Sequence, residues 1–249
     1  MSRRVRFLSK LMKNVLLPYE VSDKYVEKII GKFENHYEKA YFQYFVKLVG
    51  LRAHILDLAC GDGRHTLQLS MHLDQIVALD LSQNNLKMAR EKCLARENIA
   101  FIQGSMLELP FLPSTFDGIW YSQAFEYVPP DWREMFLCAL NRILRPSGLL
   151  FMSVETWMHP SLVTSLKELW NDFKLFFYWK FLKYTPLLWG EFLYYLSLKF
   201  ARVKCSGWHY HVHTDKWTLY KLVSRCGFVV EKLNPHNGYI YVLCRKTPR

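Results

Sequence analysis

Several things are missing from this sequence, and each absence removes a class of protein. No C-x-x-C pair and no H-E-x-x-H occur, which leaves no zinc-ribbon, thioredoxin-like or zincin signature. The six cysteines, Cys60, Cys93, Cys138, Cys205, Cys226 and Cys244, lie scattered in apolar contexts, the pattern of reduced intracellular thiols. No internal repeat and no low-complexity linker interrupts the chain. No uninterrupted apolar run approaches the roughly 20 residues that a membrane-spanning helix needs. Lysines 10 and 13 break the N-terminal segment, so a secretory signal is not expected.

What is present fits one large α/β domain, or one domain with an elaboration. Of the 249 residues, 51% are hydrophobic, enough for a sizeable core without disulfides. The formal net charge of +11 favours an anionic partner, whether nucleic acid, an acidic membrane surface or an acidic substrate. No acid precedes Glu20, and Val5, Leu8, Leu11, Met12, Val15 and Leu16 recur at helical spacing. That helix can dock on its own domain, lie on a membrane surface or act as an organelle-targeting peptide.

From Tyr25 to Val49 the pattern is helical. Strands and helices then alternate. Strands are expected at 54–59, 75–82, 99–105, 116–124 and 149–155, with helices at 65–73, 84–96 and 132–148, the last stopped by Pro146 and Gly148. Such alternation builds a doubly wound, mostly parallel sheet. The pattern breaks near Thr156, and residues 160–204 read as helical and rich in aromatics. It resumes with a helix over 214–228 and an antiparallel hairpin, 229–233 and 239–246. The expected architecture is a Rossmann-like seven-stranded α/β sheet with a C-terminal antiparallel hairpin and an inserted helical cap. Its parts are an N-terminal amphipathic segment (1–34), a nucleotide-binding core (35–155), the cap (156–213) and a completing C-terminal unit (214–249).

The stretch "ILDLACGDGRHT" (55–66) holds a glycine turn after the first strand, where parallel sheets bind ligands. A dinucleotide fingerprint would place a third glycine at position 66, occupied here by Thr66. Asp57 and Asp62 would repel a pyrophosphate. They suit a cationic ligand such as S-adenosylmethionine (SAM), which carries a sulfonium and an ammonium. Asp80, 23 residues after Asp57 at the tip of the second strand, can accept hydrogen bonds from ribose hydroxyls.

At this point the chain resembles a family. "ILDLACGDGRHT", "VALDLSQNNLKMAR", "FIQGSMLELPF", "FDGIWYSQAFEYV" and "RILRPSGLLFMSV" are similar to the successive motifs of class I SAM-dependent methyltransferases, particularly the small-molecule branch with quinone and sterol methylases. The resemblance covers roughly residues 35–155, with a weaker echo over 211–246. It implies that Asp57 serves the methionine amino group and that Ala59, Gly61, Asp62 and Gly63 form the methionine turn. It also implies that Asp80 binds the ribose, that Leu81 flanks the adenine and that Ser105 and Met106 read its edge. Many relatives carry Asp at position 105, so serine there is a departure. Tyr121 and Ser122 fall where the fourth strand meets the cofactor, and Tyr121 reads equally well as core.

The acceptor is less legible. A phenol or acidic carbon needs a base, and Glu126, Glu155, His211 and His213 are the candidates near the ends of strands four and five. His209, His211 and His213 alternate and would share one face of a strand. No metal site is expected from them. Nucleic-acid and protein-arginine methylase signatures do not fit. "VPPDW" (128–132) has Val128 where a polar residue is needed, no Pro-Cys pair occurs, and Glu126 lacks a second loop glutamate. The 39 residues 166–204 hold 13 Phe, Trp and Tyr, with seven Lys or Arg against three acids. This favours a small hydrophobic acceptor, aromatic or isoprenoid-like, and a peripheral contact with an anionic membrane. The expected setting is cytoplasmic or membrane-associated, with no nucleic-acid partner. An RNA methyltransferase, or a non-catalytic SAM-binding assembly or regulatory protein, stands as the alternative.

Overall fold

The computed structural model describes residues 2–15, 36–200 and 203–248. Of the expected N-terminal helices, the part over 25–35 lies outside the described residues. The core is a seven-stranded sheet in the order β3-β2-β1-β4-β5-β9-β8. Its strands are β1 (His54–Leu58), β2 (Gln75–Asp80), β3 (Ile99–Gln103), β4 (Phe116–Ser122), β5 (Leu144–Glu155), β8 (Phe228–His236) and β9 (Tyr239–Lys246). The first five are mutually parallel, and β9 runs antiparallel to both β5 and β8. The chain winds outward from β1 to β3, then returns to place β4 beside β1. That reversal opens a crevice at the carboxyl ends of β1 and β4, the position where open α/β sheets bind ligands.

Burial on both faces explains the near-continuous apolar strands. One face is covered by α2 (His36–Val49), α3 (Arg64–Ser70) and α4 (Gln83–Lys92). Phe42 and Phe45 of α2 meet the edge of Trp120, which stacks on Phe151 at 3.8 Å. The other face is covered by α5 (Pro130–Ile143) and α7 (Lys216–Arg225), through Phe136, Leu137, Leu140, Leu219 and Val223. Met106, Leu107, Leu109 and Phe111, from the connection after β3, pack against that same core where a further helix would otherwise lie.

Two expectations are corrected. The helix expected over 132–148 ends at Ile143, and β5 begins at Leu144. Leu144 pairs with Phe116, and Pro146 and Gly148 lie inside an extended segment rather than at a helix end. The inserted cap is only half helical. α6 (Leu162–Phe177) continues into one wider turn over 178–182, and the remainder is a separate hairpin, β6 (Glu191–Phe200) with β7 (Val203–Val212). Aromatic residues favour strands at least as well as helices. Glycine at position 190, with φ 86°, starts the hairpin.

The amphipathic segment forms α1 (Arg3–Val15) and docks on this cap. Leu8 is fully buried with Leu187, Leu193, Tyr210 and Val212. Arg4 donates to both carboxylate oxygens of Glu191 (2.7 and 2.9 Å), to Asp131 and to the Pro186 carbonyl. Tyr210 and the Leu188 amide also donate to Glu191, so that buried carboxylate is fully partnered.

Candidate functional site

The glycine turn sits where β1 stops. Ala59, Gly61 and Gly63 all take positive φ, at 56°, 55° and 78°. Gly63 is required twice over. Its backbone is left-handed, and a Cβ there would lie 2.7 Å from the Ala89 Cβ and 2.9 Å from the Ala89 Cα, so the turn and α4 could not close together. Gly61 differs, because a Cβ on it would meet nothing within 4 Å. Its open side faces free space at the rim of the crevice.

Three carboxylates surround this turn. Asp57, on the last turnward position of β1, is buried and accepts from Thr66 Oγ1 at 2.6 Å. Thr66 thus replaces the missing third glycine with a hydroxyl that holds the acid. Burial, with the nearby charges of Asp80 and Asp62 adding to it, pushes the Asp57 pKa up to about 7. Asp80 accepts from the Gly61 amide at 2.8 Å, the Ser82 amide at 2.9 Å and Asn85 Nδ2 at 3.3 Å. It ties the turn to β2, and burial also raises its pKa. Asp62 pairs with Lys92 and accepts from the Arg64 amide. The Leu81 backbone also contributes a hydrogen bond to Asp80, so this carboxylate is held by donors on the rim itself. A cation beside Asp57 and Asp80 would relieve their repulsion. These residues therefore fit a ligand with an ammonium and a ribose.

Around the rim, Leu81 is exposed, and Ser105 Oγ accepts from the Leu107 amide at 3.2 Å. Tyr121 is fully buried and donates to Met106 Sδ at 3.2 Å, so it braces Met106 from the core. Ser122 donates to Glu38 Oε1 and lies 3.0 Å from Ser153 Oγ. Sequence reasoning missed Glu38. It lies on α2, nearly fully buried, and burial raises its pKa. His65 Nε2 is 3.7 Å away. The signal was available: positions 38, 41, 42 and 45 form the inward stripe of α2, and only 38 is charged.

The second cluster lies at the same rim, beyond β5. His211 and His213 leave the end of β7 and converge on Glu155, the last residue of β5. His211 Nδ1 is 2.5 Å from Glu155 Oε2, and His213 Nε2 is 4.0 Å from the same oxygen. His213 Nδ1 donates to Asp172 Oδ2 of α6 at 2.8 Å. The Gly190 turn makes this possible. The His213 amide donates to the Gly190 carbonyl at 3.0 Å, and a Cβ on residue 190 would lie 2.9 Å from the His213 carbonyl oxygen. Glu126 is buried on the short turn after β4, and its Oε2 has no hydrogen-bond partner among the described residues. Burial, then the charge of Glu155, pushes its pKa well up. The side chain of His209 lies outside the described residues. Arg133, also missed, is buried in α5 and clamps the two sides. It donates to the Val128 and Phe125 carbonyls after β4, and to the Val212 carbonyl and Thr214 Oγ1 after β7.

A cavity of about 230 Å³ opens here, walled by Glu155, Trp157, Glu168, His213 and Tyr239 among others. Glu126 and His211 are not in its wall. Among the described residues no group of three or more His, Cys, Asp or Glu is arranged to hold a metal ion, and no helix is long and apolar enough to cross a membrane.

The sheet order 3-2-1-4-5-9-8 with an antiparallel β9, the glycine turn after β1 and the acid ending β2 define a class I methyltransferase fold. Residues 55–148 match the methyltransferase-domain family, and the fold is shared with solved SAM-dependent methyltransferases. Demethylmenaquinone methyltransferase of Staphylococcus aureus (strain JH9) is 32% identical over 137 residues, 52% of this chain and 55% of that protein. The chain thus matches about half the length of such curated relatives. Among solved structures, a SAM-dependent methyltransferase from Methanosarcina mazei superposes with a TM-score of 0.62 at 18% identity, covering 80% of this chain and 95% of that one. The Burkholderia thailandensis 1,6-didemethyltoxoflavin-N1-methyltransferase, solved with 1,6-didemethyltoxoflavin and S-adenosylhomocysteine, superposes with a TM-score of 0.61 at 15% identity, covering 99% and 92%.

Proposed function

We propose that this protein transfers a methyl group from SAM to a small hydrophobic acceptor with an aromatic, quinone-like ring. The observation that carries the reading is the placement of two unlike sites on one rim: an acid-lined glycine turn beside β1 and β2, and a cavity with an ionisable wall beside β5. SAM, when bound, supplies a methyl group on an electrophilic sulfonium. Gly61 and Gly63 let the backbone approach its methionine part, Asp57 and Glu38 face its ammonium, and Asp80 takes the ribose hydroxyls. Leu81, Ser105 and Met106 border the adenine. Ser122 and Ser153 lie between the two sites, where the reacting groups must meet at near-attack distance. His213 is the base that removes the acceptor's proton, with Glu155 and His211 beside it. Buried Glu126 lies behind them, and burial favours its neutral form.

The quinone-like acceptor is supported by the Staphylococcus aureus relative's name and by the cap. Leu162, Leu166, Trp170, Phe173, Phe177 and Phe181 are exposed in one row along α6 and the turn that follows. Lys167, Lys174 and Lys183 are exposed beside them. Such a row with flanking cations suits an anionic lipid surface from which an apolar acceptor would be drawn.

Incubation with methyl-labelled SAM and 1,4-naphthohydroquinone, followed by organic extraction, tests the reading. Label in the organic phase is the expected result. Label found only in RNA, or in no fraction although SAM binds, would replace it with a nucleic-acid enzyme or a non-catalytic SAM-binding protein.

A further inference from the structure

We infer that Asp172, brought in by the cap helix, is a positioning residue that fixes His213 with its proton on Nδ1 and its bare Nε2 toward the cavity. The site is thereby committed to acceptors that must lose a proton, such as a phenolic or enolic hydroxyl. This rests on the methyl-transfer reading above and deepens it.

Asp172 is out of place on its helix by every ordinary rule. Its neighbours Trp170, Phe173 and Lys174 are exposed, whereas Asp172 is 4% exposed. The polar side chain is inside and the large aromatics are outside. A buried carboxylate needs a partner, and the partner is His213 Nδ1 at 2.8 Å. A carboxylate only accepts, so the proton sits on Nδ1. The other nitrogen, Nε2, on a residue that walls the cavity, lies 4.0 Å from Glu155 Oε2, beyond hydrogen-bond distance. An acid that orients an imidazole through Nδ1 so that Nε2 can take a proton is a recurrent catalytic arrangement.

The surroundings suit that task. His213 faces Asp172 and Glu168 from α6, Glu155 from β5, Phe192 from β6 and His211 from its own strand end. Tyr239 of β9 and His159 share the cavity wall. Burial pulls the His213 pKa down, but the Asp172 hydrogen bond and the charges of Asp172, Glu155 and Glu168 outweigh it and raise the pKa above the ordinary histidine value. An imidazolium formed on accepting a proton is thus stabilised in place. The proton balance is simple. The acceptor's O–H bond breaks, its proton goes to Nε2 and the electron pair stays on oxygen. That oxygen then bonds to the methyl carbon of the sulfonium donor while the carbon–sulfur pair remains on sulfur. An acceptor that is already a free nucleophile would need none of this apparatus. At about 230 Å³ the cavity takes one reacting ring, and an apolar tail must lie outside it, toward the cap.

The test uses the full chain with Asp172→Asn and Asp172→Glu. Histidine side-chain ¹⁵N–¹H correlation spectra read the tautomer without any acceptor. Wild type should show His213 protonated at Nδ1, and Asp172→Asn should lose that preference. Calorimetric affinity for SAM should stay within twofold in both variants. With 1,4-naphthohydroquinone, kcat for Asp172→Asn should fall about 10- to 100-fold with little change in KM. Its acid limb should move to lower pH, because a group that raises the His213 pKa is gone, and Asp172→Glu should recover part of the rate. Wild-type His213 carrying its proton on Nε2, or Asp172→Asn keeping the wild-type tautomer and pH profile, would overturn the inference. Failure of wild type to bind SAM would instead overturn the reading on which it rests, while the tautomer result still judges Asp172.

Discussion

The two ends of the crevice are built in opposite ways. At the β1–β2 end, Asp57, Gly61, Gly63 and Asp80 lie within 24 residues of one another. The Gly61 and Ser82 amides bind Asp80 directly. At the β5–β7 end, Glu126, Glu155, Asp172 and the pair His211 and His213 come from four separate places in the chain and meet only through packing. The first end is a local turn whose geometry is fixed by backbone. The second is a tertiary assembly held by Arg133, the Gly190 turn and the docked cap. A local site can be read from spacing and damaged by one Cβ. An assembled site is invisible to spacing and is damaged by loosening its supports.

The largest expected effect therefore falls on Gly63. Gly63→Ala places a Cβ against the Ala89 backbone in a left-handed conformation. It should cost about 3 kcal/mol or more, read as a lowered denaturation midpoint together with loss of SAM binding. A variant as stable as wild type would show that the turn tolerates rearrangement.

Asp57→Asn should act in the opposite direction. The native carboxyl keeps its proton until about pH 7, whereas the unfolded chain releases it near pH 4. The raised native pKa means that wild type loses stability as pH rises through that window, on the order of 2–4 kcal/mol. The asparagine variant should be more stable than wild type at pH 7 without cofactor, and about equal below pH 4. It should also bind SAM more weakly. An unchanged pH dependence of unfolding in the variant would remove Asp57 as the source.

Arg4→Ala sharpens the comparison from the other side. It strips Glu191 of its cationic partner and should cost about 2–3 kcal/mol, below the range for fully buried pairs because Arg4 and Asp131 are partly exposed. Its signature is selective. Cap protection in hydrogen exchange should fall, while SAM affinity should hold. Equal loss at both ends would mean that the cap and the glycine turn form one cooperative unit.

The smallest effect on stability should come from Trp170→Ser with Phe173→Ser. Both side chains are exposed and stack on each other at 5.6 Å, so the change should stay within about 0.5 kcal/mol. Flotation with anionic liposomes at low salt should nevertheless drop sharply. Undiminished flotation would move the lipid contact elsewhere.

The same contrast explains what could be read before any coordinates. Apolar runs ending in Asp57 and Asp80 announce buried strands that stop at a polar rim, and the glycines that follow mark the turn. The mostly parallel sheet follows from that alternation, and the paired apolar runs at the C-terminus announce its antiparallel hairpin. The cap resists such reading. Phe192, Tyr194 and Tyr195 occur among aromatics that fit either period, and no glycine or proline occurs over 191–206 to mark a turn. Glu38 and Asp172 are single acids on the inward side of aromatic helices, and their partners lie 84 and 41 residues away. Glu38 is at least marked as the one charge on the inward stripe of its helix, whereas nothing local distinguishes Asp172 from a solvated charge.

The central claim is that the acid-lined turn is a SAM site, and calorimetric titration of SAM into wild type and Asp80→Ala tests it most directly. The account predicts a single site in wild type and binding weakened about 10- to 150-fold in the variant, the loss of roughly 1.5–3 kcal/mol that accompanies removal of hydrogen bonds to a charged acceptor. Equal affinity in the two proteins, or preferential binding of NAD by wild type, would contradict it.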